Sequence, residues 1–365
     1  MNESYRPTWV EVDLEAIRDN ARILKPENAE LMAVVKADGY GHGDVEVARA
    51  AIEAGATWMG VALVEEGLEL RAAGIEAPIL VLSELPAGSE AVALAHRLTP
   101  TLYSGEGLER LSAAARGSVP VHIKIDTGMH RVGVWPPEEA PAFALRVQEA
   151  GLEVEGLFTH FARSEEDEVT TKEQLGLFLE SAEAIRSEGV TPRLLHAANS
   201  GATILHPDSH LDLVRPGIAL YGIEPAPGIG SHLGLRPALT WRSQVSAVKR
   251  LAAGEAISYG QRYRLERDAW VATVPVGYAD GYPRQLTNVG EVLIGGRRCR
   301  VAGTVTMDQL VVDCGDGEVR FGDDVVLIGE QGSETIGADA LGRLFGTIGY
   351  EIVSRIGERV PRRYS

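Results

Sequence analysis

Apolar residues over the first 220 positions fall into short runs, separated by longer stretches with helical spacing. The clearest run is residues 31–35, LMAVV, where five apolar residues in a row predict a strand buried on both faces. Similar runs predict strands at 58–63, 79–82, 99–103, 119–125, 154–159, 193–197 and, least regularly, 211–220. Between them, apolar positions recur at helical spacing over 13–24, with Asp13 as N-cap, and over 45–53, 64–73, 89–96, 107–115, 140–150 and 172–187. Eight strands alternating with helices have the count and size of a (β/α)8 TIM barrel; a doubly wound open sheet shares the alternation.

The texture changes at residues 222–237, GIEPAPGIGSHLGLRP, a connector rich in proline and glycine. Beyond it short strands are predicted at 239–251, 270–276, 291–294, 298–304, 309–314 and 324–327, with one helix at 338–345. Residues 9–12 alternate like a strand and are expected to join this later sheet. The expected organisation is α/β: an N-terminal TIM-barrel domain over 1–230, then a C-terminal mainly antiparallel β-domain over 231–365. The first ten or so residues are expected to pair with the second domain.

Composition narrows the partners. The formal charge of −17 argues against nucleic acid and against a membrane surface. No apolar run approaches a membrane span, and MNESYRPTWVEVDLE has no signal core. Cys299 and Cys314 lack metal-ligand spacing and read as buried free thiols, so no metal is expected and a reducing cytoplasm is the expected location.

Chemically capable residues gather where a barrel would use them, at the carboxyl ends of strands. The first strand ends on Lys36, ahead of a turn with Gly39, Gly41 and Gly43. A lysine in a protected pocket there has a lowered pKa, and the neutral amine is the form that makes a Schiff base. The fifth strand leads into KIDTGMHR with Lys124, Asp126 and Arg131. The sixth ends in Thr159-His160, the seventh in His196-Ala-Ala-Asn199-Ser200, and the eighth carries Arg215-Pro-Gly217.

Together AVVKADGYGHG, KIDTGMHRVG, GLFTHFA, HAANSGA, RPGIALYG, ISYG, VGYADGYPR and TMDQ resemble the alanine racemases, fold-type III enzymes dependent on pyridoxal 5'-phosphate (PLP). The resemblance runs from about Thr8 to the final VPRRY. It implies racemisation of L-alanine to D-alanine for peptidoglycan by two bases. Lys36 would hold PLP as a Schiff base and serve one face, and Tyr259 of the partner subunit would serve the other. His160 and Arg215 would help Tyr259 act as a base, since a free tyrosine has a pKa of about 10. Arg215 would also meet the PLP ring nitrogen, and an arginine keeps its proton, so that nitrogen stays unprotonated.

The same resemblance assigns the phosphate to Tyr40, Ser200, the Gly217 and Ile218 amides and Tyr350, with Asn199 beside them. His196 reads either as facing the cofactor ring or as a core histidine. Arg131 would touch the ring hydroxyl and the substrate carboxylate. Lys124 matches a lysine carbamylated in many members; left unmodified it makes a like-charge pair with Arg131, relieved by a carbamate or chloride. Met307, Asp308 and Tyr278 belong to the substrate end, with Arg284 near the entrance. Lys36 and Tyr259 lie in different domains, and the family resolves this with a head-to-tail homodimer whose sites are shared. A serine or broad-specificity racemase on the same scaffold is the alternative. A basic amino-acid decarboxylase would lack both the ISYG tyrosine and the ring-nitrogen arginine. A PLP carrier would end after the barrel, and a Schiff-base aldolase would leave the β-domain residues unexplained.

Overall fold

The computed structural model describes residues 5–365. Strand β1 (Thr8–Val12) comes first, with Thr8, Val10 and Val12 buried in alternation. Helix α1 (Leu14–Leu24) leads to the barrel. Its strands are β2 (Glu30–Val34), β3 (Trp58–Val61), β4 (Ile79–Glu84), β5 (Leu98–Leu102), β6 (Pro120–Lys124), β7 (Glu153–Phe158), β8 (Leu194–His196) and β9 (Leu213–Val214). All pair in parallel in sequence order, and β9 returns to pair with β2. Backbone bonds from Asp212 to Leu195 at 3.0 Å and from Arg215 to Ala198 at 2.9 Å join β9 to β8 and close the ring. Met32, Trp58, Leu80, Phe158, Leu194 and Leu213 form a buried cluster within this unit.

The alternating helices are α2 (Lys36–Gly41), α3 (Asp44–Glu53), α4 (Val64–Ala72), α5 (Glu90–Ala95), α6 (Gly105–Ala114), α7 (Ala140–Glu149), α8 (Glu168–Ser187) and α9 (Ser200–Leu205). The last barrel strand corrects the expectation of a strand over 211–220. Only Leu213 and Val214 pair, because Pro216 has no N–H to donate, and the chain then turns into a 3-10 segment at Ile218–Tyr221.

By contact the chain forms two compact units. One comprises Ala16–Gly39 and Asp44–Arg236; the other comprises Pro237–Ser365, Tyr40–Gly43 and the N-terminal residues through Glu15. In the second unit the strands are β10 (Leu239–Gln244), β11 (Ala247–Leu251), β12 (Ala256–Ile257), β13 (Tyr263–Arg264), β14 (Ala269–Val274), β15 (Glu291–Ile294), β16 (Arg297–Val301), β17 (Leu310–Gly315), β18 (Asp324–Gln331), β19 (Glu334–Ile336) and β20 (Arg362–Tyr364). Its main sheet runs β11-β14-β17-β16-β15-β18-β10-β1-β20, with β19 on β18. Every ladder is antiparallel except β1 with β20. The stretch expected as one strand over 239–251 is two, broken after Gln244: β10 pairs with β1 and β18, whereas β11 pairs with β14. Two short helices, α10 (Ala338–Arg343) and α11 (Gly349–Ser354), close this unit.

Candidate active site

Lys36 stands where β2 ends. The residues after it are not a loose turn: φ is +55° at Ala37, +53° at Asp38, +57° at Gly39, +51° at Tyr40 and +80° at Gly41, a left-handed helical turn. Non-glycine residues enter this region at a cost, so the surroundings must impose it. The Val35 carbonyl accepts the Gly39 amide at 2.9 Å, and the Glu66 carboxylate accepts the Ala37 amide at 2.7 Å. The other Glu66 oxygen accepts the Ala62 and Leu63 amides, so one side chain caps α4 and pins the lysine turn. At Gly41 a Cβ would collide with the Val353 carbonyl.

Lys36 is half-buried and makes no hydrogen bond or ion pair among the described residues. Burial, then the nearby Arg131 charge, pull its pKa down, while Glu66 opposes them. Lys124, at the end of β6, is 4 % exposed. Burial, Arg131 and Arg215 lower it to about 8 against the pull of Asp126. Its ammonium lies 5.7 Å from the Phe158 ring centroid. Asp126 turns one oxygen to the Gly128, Met129 and His130 amides, all at 3.0 Å, which shapes the loop carrying Arg131. Arg131 itself is exposed and makes no hydrogen bond or ion pair among the described residues.

Arg215 is buried and has no carboxylate partner among the described residues. Asp212, the acid nearest in sequence, accepts the Leu195 amide instead. The guanidinium donates to His196 Nδ1 at 3.0 Å, Thr159 O at 2.7 Å and Ala197 O at 3.0 Å, lies 3.4 Å from His160 Nδ1, and sits over the Phe158 ring. Burial lowers it to about 9, which leaves it charged at neutral pH. Burial and then the Arg215 charge hold His160 well below the ordinary histidine range. His196 is fully buried, stacked on Phe158 at 4.9 Å, with both ring nitrogens engaged. It is therefore a core histidine that reaches the site through Arg215.

Ser200 Oγ accepts the Gly217 amide at 2.9 Å and the Ala219 amide at 3.3 Å, which gathers these groups around the N-terminus of α9. Among the described residues the Ile218 amide donates to nothing. Asn199 is the N-cap of α9: its Oδ1 accepts from Ala202 N and Ser164 Oγ, so its side chain is already engaged.

In the second unit Tyr259, 76 % exposed, rides on a strained turn with φ of +63° at Ser258 and +75° at Gly260. Thr304 clamps that turn, its carbonyl accepting from Ser258 Oγ at 2.7 Å and its hydroxyl donating to Tyr259 O at 2.8 Å. Tyr278 and Met307 are held side by side by backbone bonds, Tyr278 N to Thr306 O and Ala279 N to Met307 O, both at 3.0 Å. The Met307 amide donates to nothing among the described residues. Tyr259, Tyr278, Arg284, Met307 and Asp308 line one open hollow of about 530 Å³. Asp308 is paired with Arg359 at 2.7 Å. Tyr40 and Tyr350 come together, their ring centroids 6.2 Å apart.

Sequence reading missed Glu66, Thr304, Arg359 and His122. Only His122 left a signal, standing two residues before Lys124 and so on the same face of β6.

A closed parallel barrel with a lysine at the end of its first strand, followed along the chain by a mainly antiparallel β-domain, is a two-domain α/β architecture. Family models for the alanine racemase N-terminal domain and C-terminal domain match residues 12–225 and 238–364. An alanine racemase of Symbiobacterium thermophilum is 50% identical over 99% of this chain and 98% of its own length. Alanine racemase structures from Streptomyces lavendulae and from Bacillus anthracis, the latter with bound L-Ala-P, each superpose with a TM-score of 0.94 at 40% identity. They cover 100% and 99% of this chain, and 98% and 96% of their own. The chain belongs to the alanine racemase family.

Proposed function

We propose that this racemase interconverts L- and D-alanine with PLP as cofactor, using Lys36 on one face and Tyr259 from a second copy of the chain on the other. The donor set at the barrel mouth suits that cofactor. Three cations, Lys36, Lys124 and Arg131, stand within each other's fields; Glu66 and Asp126 oppose this, yet none of the three makes an ion pair among the described residues, and an anionic group relieves the repulsion. Arg215 carries the reading furthest: it is a buried, charged guanidinium whose hydrogen-bond acceptors are all neutral. It suits the lone pair of a pyridine nitrogen and keeps that nitrogen unprotonated.

Bound there, PLP would supply the electron-withdrawing system that acidifies the alanine Cα proton. Ser200 and the Gly217 and Ile218 amides would hold its phosphate. Arg131 would hold the ring hydroxyl and the substrate carboxylate, and the free Met307 amide the other carboxylate oxygen. Lys36 Nζ, its pKa lowered, would move the proton on one face, and Tyr259 Oη would do so on the other. Tyr278 would narrow the entrance and exclude larger side chains. Lys124, buried and lowered to about 8, offers the neutral amine that combines with carbon dioxide. We assign its carbamate the task of orienting Arg131. The exposure of Tyr259, Tyr278 and Met307 supports a head-to-tail dimer with shared sites. We assign the D-alanine to peptidoglycan and the protein to the cytoplasm, in keeping with its free buried cysteines.

The test is chiral analysis of the protein incubated with PLP and, separately, L-alanine, L-serine, L-lysine and L-arginine. Rapid appearance of D-alanine alone supports the reading. Comparable rates on serine favour the broad-specificity alternative, and no D-product from any substrate refutes both.

A further inference from the structure

A line of polar side chains leaves Arg215 and passes through the barrel interior. The guanidinium donates to His196 Nδ1 at 3.0 Å, and His196 Nε2 lies 2.8 Å from His122 Nδ1. His122 Nε2 in turn faces Glu155 Oε2 at 3.7 Å, and Glu155 is held by Arg193 at 2.9 Å, which also grips Glu30. His122 and His196 are both fully buried, in a region otherwise filled by apolar side chains such as Trp58 and Phe158.

The direction of every link follows from its first member. A guanidinium N–H only donates, so His196 Nδ1 must present its lone pair and carry its proton on Nε2. That proton points at His122 Nδ1, which must accept, so His122 carries its own proton on Nε2. The reverse order would set two N–H groups against each other at the Arg215 end and a lone pair against a carboxylate at the other. Arg215 thus fixes both tautomers. Glu155 faces the proton this leaves on His122 Nε2, but the link is too long for a hydrogen bond, so His122 Nε2 has no hydrogen-bond partner among the described residues. Such an orphan is expected when the tautomer is imposed from elsewhere. Burial keeps both rings below the ordinary histidine range, although Glu155 pulls His122 the other way, so neither charges near neutrality.

The strand between the two histidines carries an independent mark of this arrangement. Gly156 on β7 lies opposite His122 in the ladder, and a Cβ there would come within 2.6 Å of the His122 ring. Its φ is not in the left-handed region, so the backbone does not demand glycine. Space for the imidazole demands it.

We propose that His122 is a positioning residue: its Nδ1 accepts the Nε2 proton that Arg215 imposes on His196, which fixes the His196 ring and so holds Arg215 aimed at the group it serves. The consequence for turnover rests on the proposed role of Arg215; the tautomers do not.

The test is nitrogen-15 NMR of the full-length protein with labelled histidine, recorded without substrate. His122 and His196 should both be neutral with the proton on Nε2, and an Nδ1 proton on either overturns the proposal. In His122→Phe the His196 Nε2 proton loses its acceptor, so the His196 Nε2 signal should shift and kcat for alanine should fall about tenfold, with KM moving far less. His122→Asn, whose side-chain oxygen can take the Nδ1 position, should restore kcat to within about threefold. An unchanged His196 Nε2 signal and kcat in a folded His122→Phe overturns the proposal, as does failure of His122→Asn to restore either. If His122→Phe does not fold, the wild-type tautomers and His122→Asn still decide the matter. A wild type with both Nε2 tautomers but no racemisation supports the chain of residues and refutes the function proposed for the site.

Discussion

The Glu66 carboxylate accepts the Ala37 amide at 2.7 Å and thereby ties the start of α4 to the left-handed turn behind Lys36. Its charge also favours the Lys36 ammonium. Glu66→Gln keeps the shape but turns its amide NH2, a donor, toward at least one backbone N–H. Stability should fall by about 1–3 kcal/mol in urea denaturation. Removal of the anion should move the Lys36 ionisation in the pH profile of kcat, which reports the substrate complex, to lower pH; a move upward would refute the assignment.

Lys124 should show its burial in the pH dependence of stability. Its native pKa is about 8, against 10.5 in the ordinary state. Between those values the unfolded chain binds the proton that the native chain sheds, so stability rises with pH through this window. Below about pH 8 the full cost, roughly 3 kcal/mol, is present. In buffer free of carbon dioxide, wild type should therefore gain on Lys124→Met from pH 8 to 10.5. At neutral pH, bicarbonate should raise the Tm of wild type and leave Lys124→Met unchanged. A constant difference across pH removes the argument.

Thr304 clamps the turn that presents Tyr259. Thr304→Val deletes the hydroxyl bond to the Tyr259 carbonyl at a cost of about 1 kcal/mol. Because that turn holds a strained Ser258, kcat should drop more than this small loss suggests, and thermal melts beside steady-state kinetics would separate the two effects.

Asp280 is fully buried, pairs with Arg6 at 2.8 Å and accepts the Gly277 amide at 3.0 Å, just before Tyr278. Asp280→Ala should destabilise the β-domain by about 3 kcal/mol and raise KM for alanine as Tyr278 loosens. A neutral outcome in chemical denaturation would show that Arg6 finds solvent at no cost.

Shared sites make a prediction about mixtures. Lys36→Ala and Tyr259→Ala should each be inactive, and after subunit exchange their mixture should recover part of the wild-type rate. No recovery despite exchange, followed by native mass spectrometry, argues against a site built from two copies.

The apolar runs made the barrel strands legible, because parallel strands buried on both faces leave unbroken hydrophobic signals. They placed Lys36, Lys124, His160, His196 and Arg215 at or just beyond strand ends. What the runs could not convey was backbone handedness: Ala37, Asp38 and Tyr40 carry no mark of positive φ, which tertiary contacts such as Glu66 impose. Nor could they show that residues 211–220 pair only at Leu213 and Val214, although Pro216 held the clue. Asn199 was legible as polar but not as a helix cap, and His122 gained meaning only when β6, β7 and β8 lay side by side.

The pairing of β1 with both β10 and β20 has a consequence for biosynthesis. Thr8–Val12 are made long before their partners, Leu239–Gln244 and Arg362–Tyr364. More than 200 residues must be translated before this strand meets any neighbour in its sheet, and its second edge stays bare until Arg362–Tyr364 have emerged. The barrel segment can mature during that interval, whereas the β-sheet is sealed only once those residues are out. A nascent chain stalled before Arg362 would thus still display an open, adhesive strand edge, the state that a chaperone would be called on to shield.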